Sequence, residues 1–423
     1  MKKTKIVATI GPASMTKVKL KKMVEAGLDV CRLNFSHSDH LWHKKAIKNI
    51  REVEGMVGKK IGILADLQGP RIRVFNKKKI EVKKNEKIFI TDQAGIKKSR
   101  RKKNLIFDWN GFWQYVKIGD KIFIEDGLIQ LEVIDLLKFG CLTKTIIPGE
   151  IKSHKAVNIP SISSKMNFLT DKDLSDLEFA LQQRVDMIAA SFVGGKKDLH
   201  QLRKMIEYFL EYKKPLKINN NQKDGYYPWL ISKIERRLAI KKLKEIIKMS
   251  DGIMIARGDL AVEMPQEKVA LLELDILKKT RQAHKPVIVA TQMLASMETN
   301  NRPTRAEITD VTNAVINHAD AVMLSGETAM GEYPVLTVQT MSDIIQITEK
   351  SVYDNVRLRK TKLSRLIFGE KNNNKRKMKT AQSLNALLQY SALRQENLRL
   401  RLSKRKKSDW GKASLIWGVD MRE

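Results

Sequence analysis

Eight short apolar runs rich in valine and isoleucine recur along the chain, separated by longer segments with the mixed polar and apolar pattern of helices. Such runs are typical of strands that are buried on both faces of a parallel sheet. Eight strands alternating with helices are the count of a (β/α)8 TIM barrel, so we predict an α/β fold of this class. The predicted strands are Lys5–Thr9, Leu28–Leu33, Ile61–Ala65, Asp186–Ala190, Leu230–Ile234, Gly252–Ala256, Pro286–Ala290 and Asp320–Leu324.

The alternation is interrupted after the third predicted strand. Strand-like segments at Lys87–Ile90, Lys121–Ile124 and Leu128–Ile134 follow one another there without a long amphipathic helix between them. This pattern predicts a β-rich lid domain inserted into the barrel. The predicted domains are a catalytic barrel at 1–70 and 156–345, the lid at 71–155, and a reduced, basic C-terminal α/β region at 346–423.

The formal net charge is +33, which raises nucleic acid or an anionic membrane as a partner. The lysines are scattered through every segment, and no RRM, KH or zinc-finger signature occurs, so we expect no nucleic-acid partner for the body of the chain. Two cysteines cannot form a disulfide framework, and no run of about 18 apolar residues occurs. We therefore expect a cytoplasmic protein without a membrane partner.

Polar side chains follow the predicted strands almost at once. Because the carboxyl ends of barrel strands converge on one face, these side chains are expected to form a single site. Cations, carboxylates and hydroxyls together suit a polyanionic substrate bound with a metal ion. The residues are Arg32, Asn34, Asp66, Ser191, Lys233, Glu235, Arg257, Asp259, Thr291, Ser325 and Glu327.

The spacing of three of these residues predicts a metal and phosphate site. Lys233 and Glu235 are two positions apart, so on a strand they point to the same face. Asp259 offers a second carboxylate at the next strand end. Two carboxylates completed by substrate oxygens and waters suit Mg²⁺. Arg32 and Arg257 add guanidinium groups, whose planar fork suits phosphate.

Several of these residues lie in long motifs, which are Thr4–Ser14, Arg32–His37, Asp66–Pro70, Ser232–Glu235, Asp251–Leu260, Ala290–Leu294, Arg302–Glu307 and Leu324–Ala329. These motifs resemble those of the pyruvate kinase family, in the same order, from residue 1 to about 345. The resemblance implies Mg²⁺-dependent transfer of a phosphoryl group from phosphoenolpyruvate to ADP, giving pyruvate and ATP in glycolysis.

The resemblance also implies roles for individual residues. Lys233, Arg32 and Thr291 would be catalytic, with Lys233 at the transferring phosphoryl group. The substrate would contact Arg32, Gly258, Asp259 and Thr291, and Mg²⁺ would be held by Glu235 and Asp259. The nucleotide side would be lined by Asn34, Ser36, His37, Arg73 and Lys155.

Two departures from the family pattern concern a monovalent cation. The family's K⁺ position corresponds to Asn34, Ser36 and Asp66, completed by a threonine hydroxyl where this chain has Leu67. Arg71 stands where those enzymes carry a glutamate. Our hypothesis is that the Arg71 guanidinium replaces K⁺ electrostatically, which leaves the position vacant and K⁺ dispensable.

Other departures leave alternatives open. Arg236 and Arg237 replace uncharged polar residues beside the metal carboxylate, where they weaken Mg²⁺ binding unless both point outward. One alternative is therefore a decayed relative with little turnover. Another is an RNA-binding protein that uses the basic tail. The family forms tetramers, so we expect a homo-oligomer. In the family, a C-terminal domain mediates assembly and binds allosteric effectors. Because this region is reduced here, the tetramer is in doubt, and we predict weak or absent effector control.

Overall fold

The computed structural model describes residues 2–97, 103–125, 127–162, 165–212, 226–351 and 353. The predicted basic C-terminal region lies outside these residues beyond the end of the last helix. Among the described residues, no helix has the length and apolar character needed to cross a membrane.

Strands and helices of the described residues are numbered in chain order. The strands are β1 (Lys5–Thr9), β2 (Val30–Asn34), β3 (Gly62–Asp66), β4 (Ile72–Arg73), β5 (Ile80–Val82), β6 (Lys87–Asp92), β7 (Asn104–Phe107), β8 (Lys121–Ile124), β9 (Ile129–Leu137), β10 (Gly140–Ile147), β11 (Gly149–Ile151), β12 (Ala156–Asn158), β13 (Met187–Ala190), β14 (Trp229–Ile234), β15 (Gly252–Ala256), β16 (Val287–Ala290) and β17 (Ala321–Leu324). The helices are α1 (Lys17–Glu25), α2 (His40–Val57), α3 (Gln93–Ile96), α4 (Asp171–Gln182), α5 (Lys196–Tyr212), α6 (Arg237–Lys241), α7 (Leu243–Met249), α8 (Arg257–Glu263), α9 (Val269–Gln282), α10 (Arg305–Ile316), α11 (Gly326–Ala329) and α12 (Pro334–Lys350).

The predicted TIM barrel is confirmed. Strands β1, β2, β3 and β13–β17 pair in parallel and close in the order β1-β17-β16-β15-β14-β13-β3-β2. These are the eight strands predicted from the apolar runs, with small shifts at their ends. Helices cover the outside of this barrel, and their apolar faces share one core with the outward side chains of the strands.

Alternation along each barrel strand decides which side chains reach the site. In β1, Ile6 and Ala8 face the helices, whereas Val7 faces the barrel interior. The interior residue of β14 is Ile231, and in β2 and β3 it is Val30 and Leu64. Because side chains alternate, the residue two positions further on also faces inward, at the carboxyl end of the strand. That residue is Lys233 in β14, Arg32 in β2 and Asp66 in β3.

The lid is a β-domain with its own apolar core. Seven strands form its main sheet in the order β4-β12-β8-β9-β10-β6-β7, and β5 pairs with β11 in a second, small sheet. Strand β12 pairs with β4 and β8, so the lid sheet reaches Asn158, three residues beyond the boundary at 155 drawn from the sequence. A strand of three residues has too little periodicity to be recognised from its own sequence.

A capping box links the barrel to the loop that leads into the lid. Thr170 caps α4: its hydroxyl accepts from the Asp173 backbone N–H, and the Asp173 carboxylate accepts in return from the Thr170 N–H. The second Asp173 oxygen accepts from the N–H of Gly69, which adopts a left-handed φ of 68°. The helix terminus therefore also fixes the turn that follows β3.

Asp320 lies just before β17, at the amino end of the barrel, and its burial predicts that the stability of the protein depends on pH. Burial raises the pKa of its carboxyl to about 7, although Oδ2 accepts from the Val287 N–H at 3.0 Å. A raised folded-state pKa means that stability falls as pH rises from about 4 to about 7, by at most about 1.4 kcal/mol per pH unit. Asp320→Asn retains an acceptor oxygen, so it should raise the free energy of unfolding at pH 8 and have a much smaller effect at pH 5, as measured by urea denaturation.

Asp186→Asn is the matched control for this prediction. Asp186 also precedes a barrel strand and accepts from a backbone N–H, that of Ile63, but it pairs with Arg51 at 2.9 Å. Its replacement should lower stability at pH 8. A loss of stability at pH 8 in Asp320→Asn as well would contradict the assignment of a costly buried charge at position 320.

Candidate active site

A buried cluster of ions lies at the carboxyl end of the barrel around Lys233. The Lys233 ammonium is 2.8 Å from Glu235 Oε1 and 3.3 Å from Asp66 Oδ1, and it donates to Ser191 Oγ at 2.8 Å. Only 8% of Lys233 is exposed, and both acids are buried. The prediction from the strand spacing, that Lys233 and Glu235 point to the same face, is thereby confirmed.

Arg32 joins the same cluster from β2. Its Nε and Nη2 both lie 2.7 Å from Asp66 Oδ2, and its Nη1 donates to Thr9 Oγ1 at 2.8 Å. A guanidinium has five N–H groups, so these contacts leave one N–H on each terminal nitrogen. Arg32 is therefore held rigidly while it retains two donors for an anion.

The electrostatics of the cluster keep its lysine charged. Burial opposes the charge on Lys233, but the carboxylates of Asp66 and Glu235 outweigh it and raise the lysine pKa. Burial likewise opposes ionisation of Asp66, yet Lys233 and Arg32 hold the pKa of this carboxyl below its usual value. At neutral pH the cluster thus contains a fixed ammonium and a fixed guanidinium beside an ionised aspartate.

Glu235 differs from Asp66 in how its two oxygens are held. Its Oε2 accepts from the Phe192 N–H at 2.6 Å, whereas its buried Oε1 lies 2.8 Å from the Lys233 ammonium. Burial, with repulsion from Asp259, raises the pKa of Glu235. A divalent cation beside this carboxylate would offset the penalty.

Asp259 supplies the second predicted metal carboxylate. It lies in the first turn of α8, directly after β15, and its charge acts on both Lys233 and Glu235. The described residues contain no group of three or more His, Cys, Asp or Glu side chains that could hold a metal. Two carboxylates whose charges repel each other fit Mg²⁺, which usually completes its shell with substrate and water.

Arg71 brings a further cation to Asp259. Its Nη2 lies 2.7 Å from Asp259 Oδ1, and its guanidinium carbon is 5.0 Å from the centre of the Phe192 ring. The positive charge that was expected to stand in for K⁺ is thus next to the metal carboxylate. It also helps to lower the pKa of His37, after burial and the charges of Arg73 and Arg32.

Thr291 and Gly258, both predicted to contact substrate, contact each other. The Gly258 N–H donates to Thr291 Oγ1 at 2.9 Å, and Thr291 adopts a left-handed φ of 72°. Arg257 donates to the Thr291 carbonyl at 2.6 Å and pairs with Asp310 at 2.7 Å. The prediction that Arg257 offers its guanidinium to phosphate is wrong, since this side chain supports the Thr291 loop from behind.

The predicted nucleotide side is shared between barrel and lid. In the loop after β2, the Asn34 side-chain oxygen accepts from the Ser36 N–H at 3.1 Å, and the His37 carbonyl oxygen lies 2.9 Å from His43 Nε2. The lowered pKa of His37 makes its imidazole neutral at pH 7.

The two lid residues of this predicted side have partners within the lid. Arg73 donates through Nη1 to the His154 carbonyl at 3.0 Å, and Lys155 pairs with Glu125. The structure therefore presents one group of polar residues on the barrel and another on the lid.

Two residues of the site were not predicted. Thr9 holds Arg32, and its signal was available, because it ends β1 as Asp66 ends β3. Phe192 adopts a left-handed φ of 56°, which is rare for an aromatic residue and cannot be read from one sequence.

The sequence left open whether Arg236 and Arg237 lie beside the predicted metal carboxylate or both point outward. Arg236 is 4% exposed, whereas Arg237 is exposed, so the outward alternative holds for Arg237 alone.

Comparison with known proteins gives a consistent result. The family model described as "Pyruvate kinase, barrel domain" matches residues 1–338. Proteins named pyruvate kinase are similar to the chain: 42% identical over 356 residues in Bacillus licheniformis, 43% over 360 in Sporosarcina psychrophila and 42% over 359 in Geobacillus stearothermophilus. Each match covers 83% of this chain and 58% of the relative, so the chain spans somewhat over half the length of these proteins.

Fold and site together define a TIM-barrel protein with a β-lid, whose barrel mouth carries a buried cluster of cations and carboxylates. Within this class, the match over residues 1–338 identifies the family. The chain belongs to the pyruvate kinase family.

The cluster predicts the effect of replacing Asp66. Asp66→Asn keeps the size and shape of the side chain but removes its negative charge, which leaves the buried cations Arg32 and Lys233 with one carboxylate fewer. The free energy of unfolding at pH 7 should therefore fall by roughly 3 kcal/mol. Urea denaturation measures this change. Asp135→Asn, at an exposed position of the lid, is the control and should stay within about 0.5 kcal/mol of the unmodified protein. Equal stability of the two variants would show that the ion cluster does not stabilise the barrel.

Proposed function

We propose that this chain catalyses the transfer of a phosphoryl group from phosphoenolpyruvate to ADP, giving pyruvate and ATP, as a glycolytic enzyme of the cytoplasm. One observation carries this proposal: a buried ammonium, that of Lys233, is held by Asp66, Glu235 and Ser191 at the mouth of a barrel of this family. The relatives that bear the name pyruvate kinase support the same reaction.

Lys233 is proposed to stabilise charge on the transferring phosphoryl group. Catalysis of such transfers rests mainly on positioning and electrostatics, because the transition state spreads negative charge over the phosphoryl oxygens. An ammonium held by three partners before the substrate arrives needs little reorganisation during the reaction. The raised pKa of Lys233 keeps this charge present at neutral pH.

Arg32 and the Thr291 loop are proposed to position the substrate. The two free N–H groups of Arg32 would grip the phosphate of phosphoenolpyruvate. The Gly258 backbone and the Thr291 hydroxyl lie 2.9 Å apart and would contact the remainder of the substrate. Arg257 holds the loop in place through the Thr291 carbonyl.

Glu235 and Asp259 are proposed to hold Mg²⁺, which would neutralise charge on the substrate oxygens when bound. The repulsion between the Glu235 and Asp259 carboxylates, and the position of Asp259 directly after β15, support this assignment. The residues of the monovalent-cation position, Asn34, Ser36 and Asp66, are proposed to function without K⁺, because Arg71 already supplies a positive charge beside Asp259.

The nucleotide is proposed to bind between barrel and lid. Asn34, Ser36 and His37 would meet it from the barrel, and Arg73 and Lys155 from the lid. A lid that carries two of these cations can exclude water, which competes with ADP as phosphoryl acceptor. We also propose a homo-oligomer, as in the family.

Of the alternative functions, the decayed relative is disfavoured by the intact ion cluster around Lys233. An RNA-binding role for the basic tail depends on residues outside the described part of the chain, and the family match does not favour it.

Lys233→Met tests the proposed catalysis. Loss of the ammonium should lower kcat by at least about a hundredfold, because charge stabilisation of this kind contributes that much. The measurement is ADP-dependent formation of pyruvate from phosphoenolpyruvate, followed by the oxidation of NADH as lactate dehydrogenase reduces the pyruvate, in Mg²⁺ and after its removal by chelation. Lys241→Met, at an exposed position on α6, is the control and should keep full activity. Turnover in Lys233→Met equal to the control would refute the role of Lys233.

Arg71→Glu tests the dispensability of K⁺. The unmodified protein should be equally active, within about twofold, in K⁺ and in a bulky ammonium salt of equal ionic strength, since a fixed guanidinium leaves no cation deficit. Arg71→Glu should lose activity in the ammonium salt. The Leu67→Thr and Arg71→Glu double variant should recover more of it in K⁺, because it adds a hydroxyl ligand. Strong K⁺ stimulation of the unmodified protein would overturn the hypothesis.

A further inference from the structure

Arg236 is buried beside the metal carboxylates without a full set of partners. It follows Glu235 directly, is 4% exposed, and its Nε has no hydrogen-bond partner among the described residues. Arg237, the next residue, is exposed on α6. Burying a guanidinium is costly unless its donors are satisfied, so an open donor at this place calls for an explanation.

The cavity that Arg236 lines lies at the border between barrel and lid. Arg71, Phe192 and Asp259 line it on the barrel side, and Phe123 and Asn158 on the lid side. Its volume is about 40 Å³, more than the roughly 10–15 Å³ that one water requires. The space therefore admits a small polar group, but not a whole nucleotide.

The Phe192 ring connects the two arginines of this cavity. The guanidinium carbons of Arg71 and Arg236 each lie 5.0 Å from its centre, a distance typical of cation–π contacts. Phe192 holds this place in a left-handed backbone conformation, stabilised by the hydrogen bond from its N–H to Glu235. Strained residues of this kind are concentrated at functional sites.

Charge explains which ligand suits the cavity. Arg71 is paired with Asp259 at 2.7 Å, whereas the carboxylates around Arg236 act on it through Coulomb attraction; they are Glu263, Glu235, Asp198 and Asp259. The Glu263 carboxylate, on the cavity wall, accepts hydrogen bonds from the Asn158 side chain and the Arg237 N–H, so the Arg236 Nε–H stays open. An oxyanion would supply the missing partner. It would accept a hydrogen bond from the open Nε–H of Arg236, and its negative charge would attract the guanidinium groups of both Arg236 and Arg71.

We propose that Arg236 is an anion-binding residue of the active site and that, with Arg71, it receives one phosphate or carboxylate group of a reactant between barrel and lid. The inference rests on the proposed function for the identity of the reactants, phosphoenolpyruvate and ADP. It adds a residue at which this chain carries a cation where the family it resembles has an uncharged polar side chain.

Direct titration calorimetry on the full chain tests this subsite without requiring turnover. The unmodified protein, Arg236→Gln, Arg236→Lys and Arg237→Gln are each titrated with ADP, phosphoenolpyruvate, pyruvate and inorganic phosphate in the presence of Mg²⁺. Arg236→Gln should weaken binding of at least one of these probes about tenfold or more, as expected for loss of a charge-assisted hydrogen bond. Arg236→Lys should fall between, because it keeps the charge but loses the planar fork.

The probes distinguish the sources of the anion. If only ADP binds more weakly, the subsite receives a phosphate of the nucleotide. If only phosphoenolpyruvate binds more weakly, it receives the phosphate of the substrate. If both phosphoenolpyruvate and pyruvate bind more weakly, it receives the carboxylate that these two molecules share. Arg237→Gln, which changes the net charge equally, should bind every probe within about twofold of the unmodified protein. Unchanged or tighter binding of all probes by Arg236→Gln and Arg236→Lys overturns the proposal.

The failure of this inference and that of the proposed function have different signatures. If the protein turns over phosphoenolpyruvate but its affinities for the probes are unchanged by substitutions at position 236, the proposed function is supported and the proposed subsite is refuted. If the protein has no turnover but Arg236→Gln weakens its binding of phosphate, the subsite is supported and the proposed function is refuted. Thermal unfolding of each variant shows whether it is folded, and Arg236→Lys provides the measurement if Arg236→Gln does not fold.

Discussion

Asp66 holds two cations at the mouth of the barrel, Arg32 at 2.7 Å and Lys233 at 3.3 Å, and the proposed catalysis depends on this arrangement. The strands deliver the three side chains because each lies two residues after an interior apolar residue. Burial makes each charge costly alone, so the cluster is stable only when it is complete. The cluster contains two cations and the carboxylates of Asp66 and Glu235, and this arrangement supports the proposal that an anion and a metal bind side by side at the mouth.

Much of this could be predicted from the sequence because it follows from short-range periodicity. A parallel strand buried on both faces is a recognisable apolar run, and eight of them define the barrel. The placement of Lys233 and Glu235 on one face follows from the pleat of a single strand, and the Thr170 cap from a local motif. The lid was predicted less completely, since strands such as β4 and β12 have only two or three residues and are defined by their partners.

The remaining features depend on long-range packing. Arg257 and Asp259 both follow β15, but α8 begins there and turns the first toward Asp310 and the second toward the site. Arg236 and Arg237 are adjacent, yet the start of α6 buries one and exposes the other. Nothing in either pair of residues encodes this choice. It is set by which neighbouring element offers a carboxylate or an aromatic ring, and Phe192 takes its position only in the folded barrel.

The border between barrel and lid concentrates the charges that a reactant has to rearrange. Asp259 pairs with Arg71, so a divalent ion at the proposed ligands Asp259 and Glu235 would compete with a guanidinium for the same carboxylate. On the proposed assignments, an anionic group at Arg71 and Arg236 would draw Arg71 away from Asp259 and release this carboxylate for the metal. Metal and anion would then favour each other's binding, and the coupling would be reciprocal by thermodynamic necessity. The cations that oppose binding of the metal alone would therefore favour its binding together with the reactant.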